Sequence, residues 1–309
     1  MAKKNLEFDV IIAGGGPAGL SALLWCAELG LNAILLEKEP EFGGQLLHTH
    51  NAIRNYPGIE ETNGCDLRDA FLRQIENLSG IKRLIGVEIV EADLIGKNIK
   101  LADGAEYLSR AIFIATGVRR RKLKVPGEEK FYGRGVLESG VKSIEDVRDK
   151  NVVIVGGGDA AIENAVILSK TAARIFVVHR RNHFSARREF VKRANESENI
   201  EVVFDTQIKK ITGNEGVDSV ELEHLSSGNI SQIEVDFVLV RIGVEPNTEL
   251  FRGQIDLDSS GYIQIDANCA TSISGIYAGG DVANPVAKSI STSIGNGAAA
   301  AKAILHQFS

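Results

Sequence analysis

Apolar positions along the chain fall into short unbroken runs, each leading through a glycine-rich turn into an apolar helical stretch. Asp9–Ala13 is such a run; it enters Gly14-Gly-Gly16-Pro17-Ala18-Gly19 and then a helix predicted over Leu20–Leu29. A second strand, Ala33–Leu36, ends at the acid Glu37. The order recurs further on: strand Asn151–Val155, turn Gly156-Gly-Gly158-Asp159-Ala160-Ala161, a helix over 160–170, and strand Arg174–His179. Strands that are apolar throughout, alternating with helices, predict parallel sheets covered on both faces. The fold class expected is α/β, with two Rossmann-like three-layer dinucleotide-binding domains.

The turns carry chemistry as well as shape. Gly14 permits a tight turn, Gly16 lets backbone amides approach a pyrophosphate at the helix N-terminus, and Gly19 allows helix and strand to pack closely. Glu37, roughly twenty residues further on, is placed to accept hydrogen bonds from a ribose diol. In the second copy Ala161 takes the third glycine's place, a permitted variant. Its second strand ends not in an acid but in His179-Arg180-Arg181, which suits a 2′-phosphate and favours NADP over NAD. A solvated basic turn is the other reading of those charges.

Two further apolar strands flank the second module. Ala111–Ala115 with Thr116-Gly117 precedes it; Asp236–Ile242 with Gly243, then Glu245-Pro246-Asn247, follows it. They read as the two crossings of an inserted domain, giving 1–117 and 244–309 to one domain and 118–243 to the other. The chain closes with Gly275–Val282, an Asn-Pro turn, and an Ala-rich helix from about Ser289 to His306. At 309 residues and 44% hydrophobic, each domain can bury its own core. Two dinucleotide modules in one chain suggest an oxidoreductase in which a tightly held flavin takes a hydride and passes electrons on.

Composition removes several classes. A formal net charge of −6 argues against nucleic acid as a partner. No apolar run approaches the ~20 residues of a membrane span and the start lacks a signal-peptide core, so no membrane association and a cytoplasmic location are expected. Cys26, Cys65 and Cys269 give neither a Cys-x-x-Cys pair, a metal spacing nor a disulfide framework, and no metal site is expected.

Taken in order, Gly14–Gly19, Gly43-Gly44-Gln45-Leu46 with Asn55-Tyr-Pro-Gly58, Ala115-Thr116-Gly117, Gly156–Ala161, His179-Arg180-Arg181 and Gly280-Asp281-Val282 cover nearly the whole chain. In these motifs the sequence resembles the thioredoxin reductase branch of the two-domain FAD/NAD(P) flavoproteins. The resemblance implies FAD along Gly14, Gly16, Pro17, Ala18 and Gly19, with Glu37 and Lys38 at the adenosine ribose. It places Gly44, Gln45, Asn55, Ala115, Thr116 and Gly117 around the flavin, and Gly280 and Asp281 at the ribitol chain. Lys288, Ser289 and Ile290 would start a helix whose amides face the pyrimidine end of the ring, where the family usually has Arg and Gln. NADP would lie on Gly156, Gly158, Asp159, Ala160, His179, Arg180, Arg181, Ile242 and Gly243. The family's third basic residue falls at Ser185, so Arg187 would act in its stead. A homodimer and rotation of the inserted domain are also implied.

One departure bears on activity. Matched to the family, the two redox cysteine positions are Ser139 and Lys142, and neither side chain can cycle between dithiol and disulfide. Relatives lacking the pair are ferredoxin-NADP reductases, so the expectation is electron transfer from NADPH through FAD to ferredoxin, flavodoxin or a small molecule. Those reductases usually carry a C-terminal extension over the flavin; a chain ending at Ser309 is expected to leave it more open. Disulfide reduction through non-standard thiols, or a flavin protein fed by ferredoxin or serving regulation, are the alternatives. Glu138, Ser139 and His48 are possible flavin neighbours: His48 or His50 as a proton donor, Glu138 as a relay, with Ser139 otherwise a helix cap. Residues 118–243 hold 21 Lys and Arg against 19 Asp and Glu, while the whole chain holds 35 against 41. The basic runs Arg119–Lys122 and Arg187–Arg193 of this relatively positive segment could steer an acidic carrier, or serve only solubility and the nucleotide phosphates.

Overall fold

The structure is a computed structural model and describes residues 8–49, 52–59 and 63–309. The chain forms two compact units, Met1–Arg119 with Glu245–Ser309, and Arg120–Val244. In chain order the first unit opens with β1 (Phe8–Ala13), α1 (Pro17–Glu28), β2 (Ala33–Leu36), α2 (Gly64–Ile75), β3 (Ile81–Leu84), β4 (Ile89–Asp93), β5 (Asn98–Leu101) and β6 (Glu106–Ile114), and the chain leaves it through β7 (Val118–Arg120). The second unit contains β8 (Val136–Leu137), β9 (Asn151–Val155), α3 (Asp159–Leu168), β10 (Arg174–Val178), α4 (Arg188–Asn195) and β11 (Ile200–Val203). It continues with β12 (Thr206–Thr212), β13 (Ser219–His224), β14 (Ile230–Glu234) and β15 (Phe237–Val240). The chain returns through β16 (Val244–Pro246) and ends with β17 (Ile276–Ala278) and α5 (Ile290–Phe308).

β1 is apolar throughout because both its faces are covered. Successive residues point to opposite sides: Val10 and Ile12 join a core with Leu23, Phe113 and Ile304, while Ile11 joins Ile34, Ile112, Ile276 and Val282 on the other face. β1 lies between β2 and β6, both parallel to it, with Ile11 level with Ile34 and Ile112. β6 is longer than the run Ala111–Ala115 suggests. Its first half pairs antiparallel with β5, Asn98 opposite Leu108, and its second half is gripped between β1 and β17. Only the second half is buried on both faces, so only that half stands out as an apolar run.

The second unit has a five-stranded parallel sheet in the order β11-β10-β9-β15-β8, and a separate antiparallel sheet β12-β13-β14. The carboxyl ends of β9, β10, β15 and β8 share one edge, because all pair in parallel. That edge therefore presents Gly156, His179, Arg241 and Glu138, the residues directly following those strands. In doubly wound sheets ligands bind at this edge. Ser139 does not cap a helix. Its Oγ faces the Lys142 amide at 3.5 Å, and residues 140–149 form consecutive turns. Gly140, which has no side chain to pack against a helix turn and fits closely on Asn164, follows it directly.

Candidate functional site

The first glycine turn is built by exclusion. A Cβ on Gly14 would lie 2.4 Å from the Ala115 carbonyl oxygen, and one on Gly19 would lie 1.9 Å from the Gly14 oxygen. Gly14 also has φ +108°, which strains any side chain. Gly16 differs: its nearest neighbour is the Gly44 backbone at 3.9 Å. Two glycines are thus used for packing and the middle one leaves space at the N-terminus of α1, where a phosphate would sit on free amides. Pro17, at the first helical position, fits because that amide has no intrahelical partner.

Glu37 is buried at 7% exposure and both its oxygens are engaged. Oε2 accepts from the Gly15 amide at 2.6 Å and Oε1 from the Glu39 amide at 2.9 Å. Lys38 is exposed, near Glu39 at 3.7 Å. Gly280 closes the same region from the end of the chain, its α-carbon so near α1 that a Cβ would meet the Ala18 Cβ at 2.9 Å. Asp281 beside it is pushed above the usual carboxylate range by burial, partly offset by Lys288. Ser289 caps α5, its Oγ accepting the Thr292 amide at 3.1 Å, so Ile290 begins the helix. Lys288 places its ammonium on the Pro285 carbonyl and 5.0 Å from the Tyr262 ring centre.

Thr116 and Gly117 are fixed by Asn247: Thr116 Oγ1 donates to its carbonyl at 2.7 Å, and its amide donates to Gly117 at 3.0 Å. Gln45 donates to the Val118 carbonyl at 3.0 Å from a 3-10 turn, Gly44–His48, on which His48 is exposed. Asn55 is exposed as well, and His50 lies outside the described residues. Sequence reading missed Asn284 and Asn296. Asn296 Oδ1 accepts the Gly280 amide at 3.1 Å and the Asn284 amide group at 2.7 Å, tying the loop before Asp281 to α5. A lone amide between two glycines of the Ala-rich helix was the available signal for Asn296.

In the second unit the glycine turn repeats the pattern. A Cβ on Gly156 would meet the Arg241 carbonyl oxygen at 2.2 Å, while Gly158 is open, with only Ser185 Oγ at 3.9 Å. The His179 ring lies over Gly157 and against Phe184, ring centres 5.8 Å apart. Its Nε2 is buried and unpartnered among the described residues. Burial, then the charges of Arg181 and Arg180, hold this imidazole below its ordinary pKa. Arg180 and Arg181 are exposed and form no ion pair among the described residues. Arg187 is otherwise occupied: its amide and Nε donate to Asp159 at 2.7 and 2.9 Å, and Glu189 lies at 3.0 Å. Ala160 is exposed; Ile242 and Gly243 follow Arg241, and the Gly243 carbonyl accepts the Arg121 amide at 3.0 Å.

The basic runs are less free than their sequence suggests. Arg119 pairs with Glu245 at 2.7 Å and with Glu249, and these carboxylates raise its pKa despite partial burial. Lys122 pairs with Glu129 at 3.0 Å and Lys192 with Glu196 at 3.8 Å. Among the described residues no cluster of acids, histidines and cysteines suits a metal, and no helix is long and apolar enough to cross a membrane.

Open middle glycines at two helix N-termini, an acid at the end of β2, and an orphaned imidazole nitrogen beside the second turn fit two dinucleotides, one on each unit. Comparison with known proteins agrees. The family described as pyridine nucleotide-disulphide oxidoreductase matches residues 8–301. A 34.2 kDa protein in the rubredoxin operon of Clostridium pasteurianum is 32% identical over 307 residues, covering 97% of this chain and 96% of that one. A thioredoxin reductase of Mycolicibacterium smegmatis is 34% identical over 302 residues, covering 97% and 96%. The solved thioredoxin reductase of Lactococcus lactis superposes with a TM-score of 0.84 at 32% identity, covering 97% and 98%. From its glycine turns to its sheet order, the chain belongs to the pyridine nucleotide-disulphide oxidoreductases, as a thioredoxin reductase-like flavoprotein of a family whose cofactors are FAD and NADP(H).

Proposed function

We propose that this flavoprotein moves electrons from NADPH through FAD to a small redox protein of the ferredoxin or flavodoxin kind, or to a diffusible acceptor, without a redox disulfide. The observation that carries the reading is the turn at Ser139–Lys142, where the family's dithiol is replaced by a hydroxyl and an amine. Two of the three thiols are poorly suited to take over. Cys26 is fully buried with its pKa pushed up to about 12, and burial raises Cys269 as well. Both are therefore thiols, not thiolate nucleophiles, at neutral pH. The relative named for a rubredoxin operon supports a small redox protein as the acceptor class.

Bound FAD would supply the chemistry, taking a hydride from NADPH and releasing electrons to the acceptor. The chain's own part is to bind and orient. The turn Gly14–Gly19 would receive the diphosphate, Glu37 the adenosine ribose and Asp281 the ribitol. The capped start of α5 and Lys288 would set positive potential where reduction builds negative charge. On the second unit Gly158 and the exposed Arg180 and Arg181 would hold NADPH by its diphosphate and 2′-phosphate.

The test is anaerobic stopped-flow mixing of the flavin-loaded enzyme with NADPH or NADH, followed by addition of ferredoxin or flavodoxin. Rapid bleaching with NADPH, and reoxidation by the carrier that persists when all three cysteines are replaced by alanine, is the expected result. Flavin that stays oxidised with both nucleotides, or turnover that disappears with the thiols, overturns it.

A further inference from the structure

We propose that Arg120 and Arg241 form a two-guanidinium fork that binds the pyridine nucleotide's diphosphate from the nicotinamide side of the second glycine turn. The inference rests on the NADPH reading and extends it to two residues outside the family motifs quoted above.

The geometry is an unbalanced one. Arg120 Nη1 donates to the Glu138 carbonyl, and Arg241 Nη2 donates to the same oxygen at 3.1 Å; Arg241 Nη1 reaches its own neighbour's carbonyl, on Val240, at 2.8 Å. Two cations therefore converge on one neutral acceptor. Among the described residues neither has a carboxylate within ion-pair distance, whereas the adjacent Arg119 has two. Arg241 is partly buried, and burial together with Arg120 lowers its pKa to about 10, the Glu138 carboxylate offsetting this only in part. An unpaired, partly desolvated guanidinium is costly, and a second one beside it more so. An oxyanion between them removes both costs, and the planar donors suit it.

The place identifies the anion. Arg241 follows β15: its amide donates to Val155 at 2.7 Å and its carbonyl packs on Gly156. Glu138 follows β8, the next strand out. Because β9 stands between β10 and β15, Arg180 and Arg181 lie on one side of the glycine turn and the fork on the other. A nucleotide laid along this edge with its 2′-phosphate toward β10 carries its diphosphate over Gly158 and its nicotinamide half toward β15. The fork thus meets phosphate oxygens that NADP and NAD share, and contributes affinity without distinguishing them.

Calorimetric titration of the flavin-loaded enzyme with NADP+, NAD+ and adenosine 2′,5′-bisphosphate tests this. Arg241→Gln is expected to weaken NADP+ and NAD+ alike, by about tenfold, the scale of a charged hydrogen bond. Binding of the bisphosphate, which has no second phosphate in the bridge, stays within about twofold on the same scale. Arg120→Gln, a change on an exposed side chain, should give the same split with melting temperature and flavin content unchanged. Equal weakening of all three ligands, or unchanged NADP+ binding in both variants, overturns the fork. Wild-type enzyme that binds none of the three overturns the NADPH reading too, which separates the two failures.

Discussion

The amide of Gly15 and the Oε2 of Glu37 are 2.6 Å apart, so the acid at the end of β2 clamps the glycine turn that follows β1. With its other oxygen accepting the Glu39 amide, Glu37 orders both the turn and the end of its own strand. Charge-assisted bonds of this kind contribute about 1.5–3 kcal/mol. Glu37→Gln keeps the size but loses the charge, and its amide end can no longer accept. FAD affinity is expected to fall by about 10- to 100-fold, the same energy expressed as a ratio. Reconstitution of the flavin-free protein followed by fluorescence measures it, and unchanged affinity would remove Glu37 from the site.

Gly295 and Gly297 occupy the same helix and should respond oppositely to alanine. A Cβ on Gly297 would meet the Ala18 oxygen at 2.5 Å and the Ala22 nitrogen at 2.7 Å, backbone atoms that cannot step aside. A Cβ on Gly295 meets nothing within 4 Å. Gly295→Ala should stabilise by about 0.5–1 kcal/mol through helix propensity. Gly297→Ala should destabilise by about 1–3 kcal/mol as α5 is levered off α1. Urea unfolding of both variants makes the comparison.

His179 should make the protein acid-sensitive. Its pKa lies below the ordinary value of about 6.5, because burial and then Arg181 and Arg180 disfavour the imidazolium. As pH falls below the unfolded value, the unfolded chain takes up a proton that the folded one refuses. The stability present above about pH 6.5 is therefore lost progressively on acidification. His179→Gln should flatten that part of the profile of urea midpoint against pH; an unaltered slope would assign it to other groups.

On the proposed reading Ser139 and Lys142 stand where the family has its dithiol, so cysteines there should bring disulfide chemistry. The turn already brings the Lys142 amide within 3.5 Å of Ser139 Oγ. The double variant Ser139→Cys, Lys142→Cys is expected to form a disulfide under mild oxidation, seen as two extra titratable thiols only after reduction. It should then gain turnover with small disulfides. If the two thiols stay free in air, the proposed match of Ser139 and Lys142 to the dithiol positions fails.

What could be seen in the sequence was local. Gly19 is required by its contact with Gly14 within one strand-turn-helix unit, and the pattern shows there directly, whereas Gly14 and Gly156 are required by Ala115 and Arg241 from later strands. The structure also brings Ala115, Gly280 and Glu37 to the first turn, although they lie far apart in the chain. Pairing across distance was not visible. Arg119 reads as a free cation until Glu245 and Glu249 arrive from beyond the insertion, and Arg187 until Asp159 holds it. The antiparallel half of β6 has alternating polarity too weak to announce a strand, and Asn296 shows its use only once α5 lies beside the Gly280 loop.

The split course of the first unit has a consequence for how the protein is made. Its sheet takes β17, and its α1 face takes α5, from residues that follow the whole of the second unit. A nascent chain therefore leaves Ala18, Ser21 and Ala22 of α1 uncovered until α5 leaves the ribosome, while Arg120–Val244 is contiguous and can close as soon as it has emerged. The inserted unit is thus positioned to be the first finished part of the molecule, and the unit that begins the chain the last.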